Sequence, residues 1–215
     1  MNRINIITLF PELFTPFLTV IPFKNIINKS AQLNVVGLRD FGLGNYKKVD
    51  ETPYGGGPGM VLMVEPIYNA LKSLNDPTSY KILLSPRGKT FTQAKAHKLT
   101  TKESITLICG RYEGVDARVE ELCDETLSLG SFVLSGGEAA AICVLEATLR
   151  LLPDGIGSNE SLQTESFSKE GVVEYPQYTR PEEFQRLKVP EVLLSGNHKE
   201  IEKWRLENST LKEDW

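Results

Sequence analysis

Glycines close two apolar segments within the stretch Ile105 to Glu138, and they mark where this chain could hold a ligand. Gly110 follows the segment ITLIC, and Gly130 ends the segment TLSLG. Both segments have the length and apolar content of buried strands, and α/β proteins bind ligands where parallel strands end. A glycine also lets a flat ligand approach the backbone closely. Ordinary strand-to-helix turns have the same spacing, so the spacing alone does not separate these two interpretations.

Gly136 and Gly137 stand just before a predicted long helix that runs from about Glu138 to Leu152. The first N–H groups of a helix lack partners within it, so donors are expected near the same edge. Common ligand motifs are absent: SPRGKT has Leu83 where a phosphate-binding loop needs glycine, and no GxGxxG follows a strand. The two histidines have no companions at metal-ligand spacing, so no metal site is predicted. With these motifs excluded, the remaining interpretation is a cofactor or substrate held mainly by backbone groups.

Apolar segments alternate with helical ones before Leu152, which predicts an α/β fold with a parallel sheet covered by helices. Residues 153–171 are rich in Pro, Gly, Ser and Asn and are predicted to form a linker. Structure resumes in the tail, which contains the helical segment HKEIEKWRLEN. We therefore predict a ligand-binding catalytic domain over 1–152, a linker over 153–171 and a small helical domain over 172–215.

Composition and charge narrow the class of protein. The 215 residues are 40% hydrophobic and 24% charged, which is typical of a globular protein. The three cysteines lie in apolar segments and are odd in number, which favours a reducing, cytoplasmic location over a disulfide framework. No window has the ~18 continuous apolar residues of a membrane span, so no membrane partner is predicted. A net charge of −4 argues against broad electrostatic binding of nucleic acid but leaves a local basic face open.

Six sequence blocks together resemble one family. They are TPYGGGPGM (52–60), LLSPRG (83–88), ICGRYEGVDARV (108–119), LGSFVLSGGE (129–138), YTRP (178–181) and VLLSGNHKEIEKWR (192–205). In this order, and over nearly the whole chain, they resemble the bacterial tRNA (guanine-N(1))-methyltransferases, the TrmD family of the SPOUT superfamily. Members of that family methylate the guanine at position 37, beside the anticodon.

The resemblance implies a trefoil-knotted α/β methyltransferase domain, whose C-terminal part threads through a loop, plus a small helical C-terminal domain that grips tRNA. It implies S-adenosylmethionine as cofactor, tRNA with guanine at position 37 as partner, and a homodimer with shared active sites. Family members are also reported to use magnesium, for which this sequence shows no dedicated ligand cluster. The residues that match cofactor-binding positions are Leu84, Ser85, Pro86, Gly110, Glu113, Leu129, Gly130, Ser131, Phe132, Val133, Leu134 and Gly136.

Methyl transfer from a sulfonium to guanine N1 needs in-line placement, removal of the N1 proton and neutralisation of the charge that develops on the guanine ring. By the resemblance, Glu165 is the general base and Arg150 the nearby cation. Asp50, Tyr54 and Arg180 are assigned to tRNA binding, although Asp50 and Tyr54 could instead support the site. Without the resemblance, Arg150 would be a helix-end cation and Glu165 a solvated linker carboxylate.

Glu165 departs from the family pattern, which usually has aspartate before Ser–Phe. The extra methylene keeps the charge but moves it, and a displacement of about 1 Å can lower a rate about 100-fold. The alternatives are therefore a slow enzyme, or a noncatalytic RNA-binding paralogue that retains the cofactor pocket. A methyltransferase for a different RNA is a further alternative, and the YGGGPGM and SGNHKEIEKWR blocks argue against it.

Overall fold

A computed structural model describes residues 1, 3–20, 23–153, 155, 165–169 and 171–211. The chain forms two compact units, Met1–Gly157 and Ser158–Trp215. The division between them falls within the segment 153–171 that was predicted as a linker, and much of that segment lies outside the described residues. The three-part division of the chain stays a prediction.

A parallel sheet forms the centre of the first unit. The described strands of this unit are β1 Arg3–Thr8, β2 Gln32–Gly37, β3 Asp50–Glu51, β4 Val61–Leu62, β5 Tyr80–Thr90, β6 Ser104–Cys109 and β7 Glu125–Ser128. Five of them form one sheet in the order β2-β1-β6-β5-β7, with parallel neighbours throughout. Ile and Leu predominate among the apolar residues of the central strands because these strands are covered on both faces. The predicted α/β class with a parallel sheet is confirmed.

Helices cover both faces of this sheet. The described helices of the unit are α1 Thr15–Thr19, α2 Phe23–Lys29, α3 Val64–Ser73, α4 Gln93–Thr100 and α5 Gly137–Leu149, with 3-10 helices at Pro11–Phe14, Leu38–Phe41 and Ala117–Leu122. Ile4 and Ile6 of β1 belong to the core that includes α2, α4 and α5, whereas Ile7 belongs to the core that includes α3. Successive strand residues point to opposite faces, so one strand serves both cores.

The segment VDARVEELC, whose apolar residues have helical spacing, forms a 3-10 helix. It covers Ala117–Leu122, and the Asp116 side chain caps it by accepting a hydrogen bond of 3.0 Å from the backbone N of Arg118. Because β7 already begins at Glu125, the segment has room for only two tight turns. The predicted long helix is confirmed, and it starts one residue earlier than expected, at Gly137, and ends at Leu149.

An irregularity in β5 shapes the edge of the sheet. The register between β5 and β7 shifts between Leu84 and Lys89. A Cβ atom at Gly88 would lie 2.5 Å from the backbone N of Leu127, so this close approach of the two strands requires glycine. Ser85 and Pro86 lie within the shifted segment and have no partner in β7.

The second unit contains helices and short antiparallel strand pairs. Its described elements are β8 Val172–Val173, β9 Glu183–Phe184, β10 Leu187–Lys188, α6 Glu191–Leu194, α7 His198–Asn208 and β11 Thr210–Leu211. β8 pairs with β11, and β9 pairs with β10. Trp204 of α7 contacts the rings of Tyr175 and Tyr178, with centroids 6.2 and 6.3 Å away. No described residue of this unit is buried, so aromatic contacts rather than a deep core organise it.

Candidate active site

Two strands of the sheet end beside the register shift of β5. Leu84 of β5, just before that shift, pairs with Cys109 at the end of β6 on one side and with Leu127 near the end of β7 on the other. A cavity of about 210 Å³ opens there, lined by the shifted segment of β5, by the loops that follow β6 and β7, and by the start of α5. It lies where the strand-closing glycines predicted a ligand.

The predicted cofactor residues, except Gly130 and Ser131, line this cavity. They are Leu84, Ser85, Pro86, Gly110, Glu113, Leu129, Phe132, Val133, Leu134 and Gly136. Gly130 shapes the loop instead: its φ is +149°, its N–H donates to Ser128 Oγ (3.2 Å), and Ser128 Oγ donates to its carbonyl (3.1 Å). That backbone conformation favours glycine. The structure thus gathers most of the predicted set around one cavity, and its assignment to a cofactor stays a prediction.

The cavity walls combine apolar side chains with the Glu113 carboxylate and the Arg111 guanidinium. Phe132 and Val133, in the loop before α5, are 54% and 86% exposed. Exposed apolar side chains in one short loop mark a surface for a ligand or partner. Leu84 lines the cavity from β5, and Val115 and Glu113 line it from the loop after β6. An apolar aromatic ring and a positively charged group would both find suitable surroundings here.

A polar network beneath the cavity was missed by the sequence analysis. Glu138, in the first turn of α5, is 1% exposed. Its Oε1 accepts a hydrogen bond from Thr8 Oγ1 (2.7 Å), and its Oε2 accepts one from Arg111 Nε (2.8 Å). Arg111 Nη1 also donates to the carbonyl of Ser135 (3.2 Å), and its guanidinium lies 4.5 Å from the centre of the Phe10 ring. The one local sequence signal for this network was Glu138, an acidic residue in the first turn of an apolar helix.

Cys109, the last residue of β6, is excluded as a nucleophile by its surroundings. Burial raises the pKa of its thiol well above the ordinary value of 9.0, with a further rise from Glu138 that Arg111 opposes. The thiol therefore stays protonated at neutral pH, and a thiol is a poor nucleophile compared with a thiolate. The chemistry of this site must come from other groups.

The Gly-rich hairpin closes against the cavity loop. β3 and β4 pair antiparallel and enclose residues 52–60. Glu113 N donates to the carbonyl of Met60 (3.0 Å), and Leu62 N donates to that of Gly114 (3.0 Å). Of the two predicted tRNA contacts in this region, Asp50 pairs with Leu62 in the hairpin and Tyr54 is fully exposed near its tip. Neither lines the cavity, so both stay predictions.

The predicted catalytic residues lie in different units of the chain. Arg150 caps the C-terminus of α5 in the first unit, where its backbone N donates to the carbonyl of Glu146 (3.2 Å). Glu165 lies in the second unit, where its carbonyl accepts from Ser168 N (3.1 Å). Arg180 is exposed in the same unit. Each is described within its own unit, and the catalytic roles stay predictions.

Within the described ranges, no group of three or more His, Cys, Asp or Glu side chains is arranged to hold a metal ion. The residues present therefore do not fit a dedicated magnesium site, and no step of the chemistry is assigned to one. In the same part of the chain, no helix is long and apolar enough to cross a membrane.

Fold and cavity together define an α/β protein with a loop-lined cavity at the carboxyl edge of a parallel sheet. The chain belongs to the family described as tRNA (Guanine-1)-methyltransferase TrmD, whose model matches residues 2–214. This confirms the resemblance that the six sequence blocks indicated.

Curated relatives with the same description match this chain over most of their own length. A tRNA (guanine-N(1)-)-methyltransferase of Metamycoplasma arthritidis is 51% identical over 215 residues, covering 98% of this chain and 91% of the relative. Proteins of the same name from Clostridium perfringens (strain SM101) and Sulfurihydrogenibium sp. are each 48% identical, covering 97% and 94% of this chain and 89% and 81% of the relatives.

Proposed function

We propose that this chain transfers a methyl group from S-adenosylmethionine to N1 of guanine 37 in tRNA. The observation that carries the proposal is the cavity at the ends of β6 and β7, beside the register shift of β5, lined by the family's sequence blocks in a chain that matches the family model over residues 2–214. Its free cysteines suit a reducing compartment, and we propose the cytoplasm as its location.

The lining of the cavity suits S-adenosylmethionine. The apolar side chains of Leu84, Val115 and Leu134 offer a surface for the adenine ring, and the backbone near Gly110 offers hydrogen-bonding groups for polar atoms. The Glu113 carboxylate faces the positive charges of the cofactor. When bound, S-adenosylmethionine supplies an electrophilic methyl group, and the loops of this chain hold it in a water-poor cleft.

In the proposed knot, the C-terminal part of the first unit passes through a loop of the same unit. Its support is the path of the chain after β7: this strand lies at the outside of the sheet, beyond β5, yet α5 returns to pack on β6 and β1. Gly137 N donates to the carbonyl of Gly110 (2.8 Å), so the returning segment is pinned at the end of β6. Such threading is rare in proteins.

Two side chains carry the proposed chemistry. Glu165 accepts the N1 proton of guanine as general base, which raises the nucleophilicity of that nitrogen. Arg150 stabilises the negative charge that develops on the ring towards the carbonyl oxygen. Orientation by the cavity loops supplies much of the remaining acceleration, because the reacting atoms must lie in line.

We further propose a homodimer whose active sites are shared between subunits. Asp50 and Tyr54 on the hairpin, together with Arg180, would contact tRNA beside the target base. The exposed apolar loop that contains Phe132 and Val133 supports the proposal of a partner surface near the cavity. The small C-terminal domain, with Lys199, Lys203 and Arg205 along α7, would bind the tRNA backbone.

The deciding experiment is transfer of labelled methyl from S-adenosylmethionine to an unmodified tRNA transcript with guanine at positions 36 and 37. A transcript with adenine at position 37 is the matched control. Label on the guanine transcript alone supports the proposal. Label on neither, with the cofactor bound, favours a noncatalytic RNA-binding protein, and equal label on both contradicts position 37 as the target.

Variants at Glu165 test the base itself. Glu165→Gln removes the proton acceptor and should lower kcat at least about 100-fold while leaving cofactor affinity unchanged. Glu165→Asp restores the residue usual in the family and should retain activity. Full activity in Glu165→Gln would remove this residue as the base and leave the methyltransferase assignment intact.

A further inference from the structure

The buried network of Arg111, Glu138 and Thr8 connects two segments that line the cavity, the loop after β6 and the start of α5, with the end of β1. Arg111 lies in the loop after β6, and Glu138 lies at the start of α5, directly after the loop that follows β7. Thr8 ends β1, and its Oγ1 also accepts a hydrogen bond from Phe10 N (3.0 Å). One carboxylate therefore joins three segments at the floor of the site.

Arg111 is the member of the network that contacts the loop after β7: its guanidinium donates to Glu138 Oε2 and to the carbonyl of Ser135 at the same time. Ser135 ends the exposed apolar stretch of Phe132 to Leu134. The hydrogen bonds at the other end of that stretch, from Phe132 N to Gly130 O and from Gly130 N to Ser128 Oγ, are local. Backbone contacts also join the two loops at Gly136 and Gly137, through a bridge between Arg111 and Gly136 and the bond from Gly137 N to the carbonyl of Gly110. The guanidinium extends this connection to Ser135, at the end of the exposed apolar stretch.

A buried ion pair of this kind is a poor means of stabilising a fold. Removing two charges from water costs several kcal/mol, and apolar pairs of similar volume are often equally stabilising or better. Glu138 has a side chain only 2% exposed, whereas that of Arg111 is 21% exposed and lines the cavity. An apolar replacement of the ion pair would therefore lose the geometry that the pair imposes, and it would lose little net stability.

We infer that Arg111 is a positioning residue for the cofactor: held by Glu138, it fixes the loop 129–136 against the loop 110–115 and so sets the width of the cavity. This inference rests on the proposed function for the identity of the ligand, S-adenosylmethionine. Arg111 acts through the carbonyl of Ser135 and through the loop that follows β7, and it takes no proton or methyl group in the reaction.

The test compares an apolar double variant with a stability control. Arg111→Met with Glu138→Leu removes both charges together, so no unpaired buried charge remains, and only the Thr8 hydroxyl loses its acceptor. The melting temperature should therefore fall no further than it does in the core truncation used as the stability control. The tie to Ser135 is lost, and the Kd for S-adenosylmethionine should rise about 10-fold or more, the effect of losing a charge-assisted hydrogen bond. Ile26→Ala, a core truncation in α2, should lower the melting temperature and leave the Kd unchanged.

Arg111→Lys covers the case in which the double variant fails to fold. Lysine keeps the charge beside Glu138 but lacks the planar fork that reaches two acceptors, so a folded protein with weaker cofactor binding is expected. Wild-type affinity in either folded variant would overturn the inference, and so would a loss of affinity in Ile26→Ala that matches theirs.

Hydrogen exchange of the cofactor-free proteins separates this inference from the proposed function. Amides in 129–136 should exchange faster in the Arg111 variants than in the wild type and in Ile26→Ala. Unchanged exchange in those amides would overturn the tie whatever the ligand is. Failure of the wild type to bind S-adenosylmethionine would instead contradict the proposed function, and the exchange result would still decide the role of Arg111.

Discussion

Gly59 lies against the Glu113 carboxylate in a backbone conformation that suits glycine, with φ of +80°. A Cβ atom there would lie 2.6 Å from Glu113 Cγ and 2.7 Å from Oε1. We expect Gly59→Ala to displace Glu113 and to raise the Kd for S-adenosylmethionine about 10-fold, because the carboxylate would lose its position opposite the positive cofactor. Isothermal titration with the cofactor measures the change.

Gly56→Ala is the matched control for Gly59→Ala. Gly56 has a φ of +78°, and an added Cβ atom would meet nothing within 4 Å. Both variants carry the same backbone strain, of about 1–2 kcal/mol, but only Gly59→Ala pushes on Glu113. Equal loss of affinity in both would assign the effect to the hairpin backbone and remove Glu113 from cofactor binding.

At the residue scale, the sequence predicted the glycines that line the cavity better than the buried charged side chains. Gly110 and Gly136 were predictable because glycines that close strands and open helices leave a local pattern. Arg111 and Glu138 were not, since an ion pair between residues on different elements has no signature in either segment alone. Glu165 and Arg150 rested on the resemblance to the family, and their roles stay predictions.

Where β6 meets α5, the two elements touch through glycine. A Cβ atom on Gly137 would lie 2.8 Å from the Cα of Cys109 and 2.9 Å from the N of Gly110. These are backbone atoms of the central strand and cannot move aside. We expect Gly137→Ala to separate helix from strand and to destabilise the fold by about 1–3 kcal/mol, as an overpacked core substitution does. Urea denaturation followed by circular dichroism gives the value.

Gly110→Ala, on the facing side of the same junction, provides the comparison. Its added Cβ atom would come no closer than 3.5 Å to the carbonyl of Leu84, an ordinary contact distance. Its stability should therefore stay within about 0.5–1 kcal/mol of the wild type, near the usual effect of a single surface change. A larger loss in Gly110→Ala than in Gly137→Ala would contradict the proposed packing of this junction.

At the scale of elements, the alternation of apolar and amphipathic segments was sufficient to predict the parallel sheet and α5. This alternation was insufficient to predict that Ala117–Leu122 form a 3-10 helix. Their apolar residues have helical spacing, but spacing does not show how few residues remain before β7. The register shift in β5 was also missed. It depends on the close approach of Gly88 to Leu127, two residues that sit on strands joined by a long crossover.

For the whole molecule, the net charge of −4 has a consequence for tRNA binding. Broad attraction to the phosphate backbone is weak for an acidic protein, so recognition must depend on local basic groups and on shape. In the second unit, Arg205 already lies over the Tyr175 ring at 5.0 Å, which orders one of those groups. Two copies of the chain would present two such surfaces, and this makes the proposed dimer important for substrate binding as well as for catalysis.

The proposed sharing of active sites between subunits can be tested with two inactive variants, because only a dimer with shared sites should recover activity when the two are combined. If Arg150 of one subunit works with Glu165 of the other, a heterodimer of Arg150→Ala and Glu165→Gln subunits contains one site with both native residues and one with neither. Two different affinity tags allow this heterodimer to be purified, and it should recover about half of the wild-type methyl-transfer rate. Each parental homodimer should remain nearly inactive. An inactive heterodimer that still binds S-adenosylmethionine and tRNA would place both residues of each site in the same subunit, because every site would then carry one substitution.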